Sequence, residues 1–139
     1  MEDKIKKYKE LMERHEKIVE EFGELEKIEE LTNTCIIKVK ENDTLEKTDL
    51  LELLEQYGYR IKYIKKVIYT KDSIDLLKKL KVKYKEILGT MKNEPINAEK
   101  VCIDLLSVLS DAFKIVADEM LFLGKEAAKL NKEISDDEE

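Results

Sequence analysis

One proline and four glycines in 139 residues leave this chain too few turn formers for a β-sandwich or barrel, which needs them at every reversal. Cysteine is nearly as scarce: Cys35 and Cys102 stand far apart, neither belongs to a C-x-x-C pair, and His15 is the single histidine. That excludes a zinc site drawn from one local Cys/His motif and argues against a disulfide framework. The two thiols read as small buried residues in a reducing compartment. No long apolar run exists either. The most apolar stretch, Val101 to Leu123, is interrupted by Asp104, Asp111, Lys114, Asp118 and Glu119, so no membrane span is expected. The opening MEDKIKKYKE is charged from its second residue and lacks the apolar core of a signal peptide. A soluble intracellular protein, cytoplasmic or nuclear, is the expectation, with no membrane partner. There is no Gly-rich phosphate loop, G-x-S-x-G elbow, H-E-x-x-H or EF-hand loop, so the chain is poor in the usual equipment of an enzyme.

What is abundant is charge and leucine. The composition is 42% charged and 42% hydrophobic, rich in Leu, Glu and Lys, which favours long helices. The length suits one domain, expected over residues 1–134, followed by a disordered acidic tail at 135–139. Charge is laid out in three blocks. Residues 1–58 carry 10 Lys/Arg against 17 Asp/Glu, a net of −7; residues 59–92 carry 11 against 3, a net of +8; residues 93–139 carry 5 against 12, again −7. The whole-chain value of −6 hides a basic island between acidic flanks. Such an island is either an internal partner for the flanks or a surface offered to an anion.

The pattern predicts an all-α bundle of about four or five helices, with long first and last helices packed antiparallel. Residues 3–31 repeat apolar side chains at steps of three and four, through Ile5, Tyr8, Met12, His15, Val19 and Phe22, with a second row at Leu11, Ile18, Leu25 and Ile28. The combined stripe is wider than a coiled-coil seam. His15 lies on this row and reads as a core or interface residue rather than a catalytic one. Thr32-Asn33-Thr34 is expected to break the helix, and residues 35–40, rich in β-branched side chains, to form a short strand or extended connector. Asp43, with Glu46 three residues on, predicts a capped second helix that Gly58 would stop. Residues 59–70 mix strand-like and helical spacing and are read as helix. A helix from Ile74 to Met91 follows, ended by Asn93-Glu94-Pro95, and Asn97 caps the last one, running to about Lys132. That last helix is apolar over most of its girth, with one narrow polar strip at Asp104, Ser107, Asp111, Lys114 and Asp118. It must be surrounded, by its own bundle or by a partner chain.

These features point to a non-enzymatic helical interaction module, an adaptor or assembly subunit that packs against itself or a partner protein. The expected interface is Ile18, Phe22 and Leu25 on the first helix, with Leu109, Phe113, Val116, Met120 and Leu123 on the last. The same residues suit a monomer's own core. The alternative is nucleic-acid binding by the island: Arg60, Lys62, Lys65, Lys66 and Lys71 interleave with Tyr59, Tyr63 and Tyr69, and Lys78, Lys79, Lys81, Lys83 and Lys85 follow. Cations neutralise phosphates and tyrosines stack on unpaired bases. No GXXG loop, RNP-like aromatic motif or C2H2 spacing accompanies them.

A third pattern is acidic. Glu20-Glu21-Phe22-Gly23-Glu24-Leu25 and, further on, Glu46-Lys47-Thr48-Asp49 have the forms E-E-x-G-E-L and E-x-x-D. Together they resemble the metal-binding pattern of the all-α MazG-type nucleotide pyrophosphohydrolases. The resemblance implies Mg²⁺ held by Glu21, Glu24, Glu46 and Asp49 against a nucleotide's phosphates. It covers about 35 residues. Outside this alternative no cofactor is expected.

Overall fold

A computed structural model describes residues 2–41, 45–93 and 95–138. Four helices follow one another: α1 (Glu2–Lys40), α2 (Lys47–Val67), α3 (Lys71–Thr90) and α4 (Ala98–Glu138). The all-α expectation holds, and no strand occurs among the described residues.

α1 and α4, each about 60 Å long at 1.5 Å per residue, pack antiparallel. Lys4 pairs with Asp137 at 2.9 Å near one end, and the Phe22 and Phe113 rings meet edge-on, centroids 5.1 Å apart, further along. α2 and α3 form a helical hairpin laid on one face of this pair. Thr32 and Tyr57 share a hydrogen bond of 2.7 Å, Arg60 donates to Glu21, and Lys83 donates to Asp111. The corner of the hairpin sits at Arg14 and Glu119. Past it, the fully buried residues of the long helices are Leu11, Leu123, Ala127 and Leu130. The core is one continuous cluster, in which α4 contributes a wide face through Leu105, Val108, Leu109, Ala112, Ile115 and Val116. Each fully buried aliphatic side chain adds about 1.5–3 kcal/mol.

Several expected boundaries moved. α1 does not break at Thr32: the Thr32 and Thr34 hydroxyls donate to the carbonyls of Ile28 and Glu30, at 2.8 and 2.9 Å, and so stay inside the helix instead of competing with it. Residues 35–40, expected as a β element, are therefore the last turns of α1, with Cys35 and Ile36 packed on the core. Asp43 lies outside the described residues. Glu46 caps α2, its backbone N–H donating to Asp49 Oδ2 at 3.2 Å. Gly58 is not a stop; α2 runs through it to Val67, so residues 59–67 are helical as expected. α3 begins at Lys71, three residues before the expected Ile74, because Thr70 caps it by accepting from the Ser73 N–H, and Asn97 caps α4 by accepting from the Lys100 N–H. α4 continues as helix beyond Lys132 through the acidic residues to Glu138.

Candidate anion-binding groove

α2 and α3 approach closely at one point. A Cβ on Gly58 would lie 2.7 Å from the Tyr84 hydroxyl, which donates to the Leu54 carbonyl at 2.6 Å. On the outer side of this contact the helices leave a groove of about 1060 Å³. Lys62, Lys65 and Lys66 line it from α2, and Lys81 and Lys85 from α3, with Tyr59, Ile61 and Tyr84 between them and Glu55 as the single lining acid. The spacing explains the convergence, since residues three or four apart share a helix face. None of the five lysines has a carboxylate within ion-pair distance among the described residues. Lys81, half-buried where the other four are exposed, has its pKa lowered by burial and then by the charges of Lys65 and Lys85. The groove is a concentrated positive potential, five lysines against Glu55.

The other island residues fare differently. Arg60 turns inward, Nη1 donating to Glu21 Oε2 at 2.8 Å, with its guanidinium over the rings of Tyr59 and Tyr63. Tyr63 packs on the core. Tyr69 is exposed at the hairpin corner, where the Arg14 guanidinium stacks on its ring at 3.6 Å. Lys83 is tied to Asp111 at 2.6 Å and to Ser107 at 2.8 Å, so it joins α3 to α4. Lys71, Lys78 and Lys79 are exposed and do not line the groove.

The interface expected on the long helices is not a free surface. Ile18, Leu25, Leu109, Val116 and Leu123 are buried in the chain's own core, and Phe22, Phe113 and Met120 pack against it. Nor do the four candidate metal ligands converge. Glu21 pairs with Arg60 and Glu24 with Lys27, while the Asp49 carboxylate accepts from the Glu46 backbone N–H at the start of α2. Asp49 lies close to Cys35, whose thiol is pushed up chiefly by burial and in part by that carboxylate. Cys35 is 11 residues beyond Glu24 and 14 beyond Glu21, about 16 and 21 Å along α1 at 1.5 Å per residue. No group of three or more His, Cys, Asp or Glu able to hold a metal exists among the described residues.

Two acids, Glu21 and Glu119, are buried, which the sequence pattern was not read to predict. Glu119 accepts from the backbone N–H groups of Tyr69 and Thr70 and from the Thr70 hydroxyl, which pins the hairpin corner to α4. Glu21 and Glu119 have no exposed surface, and one oxygen of each makes no protein hydrogen bond, like two nitrogens of Arg14. The signal was in the spacing: Glu21 lies three after Ile18 and four before Leu25, and Glu119 four from both Ile115 and Leu123. The chain matches no protein-family model, and no curated protein or solved structure matches it significantly.

Proposed function

We propose that the α2–α3 groove binds the phosphate backbone of a single-stranded nucleic acid. The observation that carries this reading is the set of five uncompensated lysines lining one concavity. Like charges at i, i+4 destabilise a helix, so gathering five lysines without ion pairs suits an anion that neutralises several at once. Tyr59, 60% exposed, stands at the same groove and offers a ring on which an unpaired base can stack. The acidic α1 and α4 confine that attraction to the hairpin and repel the strand elsewhere.

Fluorescence anisotropy with short single-stranded and duplex DNA and RNA tests this. About four neutralised phosphates lower single-strand affinity roughly 50-fold between ~50 and ~200 mM salt. Lys65→Glu with Lys66→Glu is expected to abolish binding with helicity unchanged, whereas Lys78→Glu with Lys79→Glu, outside the groove, leaves most of it. Tyr59→Ala is expected to weaken single-strand binding by about 1–3 kcal/mol and spare duplex. Silence at low salt, or equal losses from the two lysine pairs, overturns the proposal.

A further inference from the structure

We infer that the outer face of the α1–α4 pair is where this chain binds a second copy of itself. The hairpin touches α1 through Arg14, Glu21 and Thr32 and α4 through Asp111 and Glu119. Two residues along a helix is a turn of about 200°, so Met12 and Val19 face away from Arg14 and Glu21, and Ala117 and Leu121 away from Glu119. Among the described residues, no element covers this outer side. Met12 is 41%, Val19 46% and Leu121 59% exposed. A cleft of about 260 Å³ lies between the helices there, lined by Met12, His15, Gly124 and Ala128 among others.

In a chain with 42% charged residues the strip from Met12 to Phe22 on α1 and from Ser110 to Ala128 on α4 is poor in charge, with Glu16 at its edge. Along α4, steps of three and four run Ser110, Phe113, Ala117, Leu121, Gly124, Ala128; along α1 they run Met12, His15, Val19, Phe22. It is therefore a place where two copies, each of net charge −6, can meet with few like charges opposed. The face carries both halves of a fit: large side chains mainly on α1, and the small residues Ala117, Gly124 and Ala128 on α4. With helices about 10 Å wide and 1.5 Å per residue, the strip covers roughly 400 Å² per copy, the size of a weak, reversible dimer contact.

The rims select the arrangement. At the edges of the strip, α1 exposes Glu13, Glu16 and Glu20, and α4 exposes Lys114 and Lys125 with Asp118 between them. Lys4 opposite Asp137 and Phe22 near Phe113 put Lys125 level with the residues around Arg14. A two-fold axis along the helices lays α4 of each copy on α1 of the other, and brings Lys125 against Glu13 and Glu16 of the second copy. The contact is isologous, and each salt-bridging rim occurs twice.

Sedimentation equilibrium of the full chain from ~1 to ~100 μM tests the inference. The expected result is a monomer–dimer equilibrium. Leu121→Glu and Val19→Glu, at exposed positions, are expected to give monomer with unchanged helicity. Lys125→Glu is expected to weaken self-association, and Glu13→Lys with Glu16→Lys in that background to restore it. Monomer throughout, a Leu121→Glu variant that still dimerises, or no rescue by the charge swap overturns it.

Discussion

Glu21 occupies the buried row of α1 between Ile18 and Leu25, with Arg60 Nη1 2.8 Å away. Burial raises its carboxyl pKa from the ordinary 4.5 to about 7, against the opposing pull of Arg60. Between those values the folded chain keeps a proton that the unfolded chain has lost. Stability therefore falls as pH rises from 4.5 to about 7 and is level above, a penalty of about 3 kcal/mol when complete. Glu21→Gln keeps the shape and an oxygen for Arg60 but cannot titrate. Its melting temperature is expected to lose this downward slope, and a slope equal to the wild type's rules the linkage out. Cys102 shows the same physics with a duller outcome: burial pushes its thiol up to about 11, so it stays protonated and inert. Glu21 could be found from the sequence as an acid among apolar neighbours. Its partner could not, because Arg60 belongs to another helix and nothing local joins the two.

Gly58 is the position where an element's ending and its packing were easiest to confuse. Glycine often ends a helix, yet here it leaves room for the Tyr84 hydroxyl to reach Leu54. Gly58→Ala is expected to cost about 1–3 kcal/mol through overpacking despite alanine's better helix propensity. Tyr84→Phe alone costs about 1 kcal/mol for the lost hydrogen bond. Because the added methyl meets that hydroxyl, urea denaturation of the double variant should show a smaller loss than the two singles added together. Strict additivity contradicts the close contact. The same division separates what was legible across the helices. Periodicity located all four, and Asn97 marked the start of α4. The breaks expected at Thr32 and Gly58 were local preferences overruled by Tyr57 and Tyr84 from elsewhere in the fold.

Across the whole molecule, the charge blocks only partly follow the layers. The basic island is α3 with the second half of α2, set on two acidic helices, and it divides its cations between both uses open to it. Arg60 and Lys83 hold the hairpin to α1 and α4, while five lysines face the groove. The sequence located the block but not the division, which depends on which side of each helix lies against its neighbour. The antiparallel pairing of α1 with α4 also sets the order of assembly. Lys4 and Asp137, in contact, are 133 residues apart in the chain. Helical proteins usually fold fast because their contacts are local, but here the largest contact joins the first helix to the last. The α2–α3 hairpin can close early; the α1–α4 pair closes late, across a long loop. Leu123→Ala, past the hairpin corner, is therefore expected to speed unfolding and leave the folding rate nearly unchanged in a chevron analysis. A slowed folding arm would mean that the ends meet first. During synthesis α1 emerges long before its partner exists, so the nascent chain keeps an apolar helix in water until the ribosome has released α4, and in that interval it is a natural substrate for chaperones.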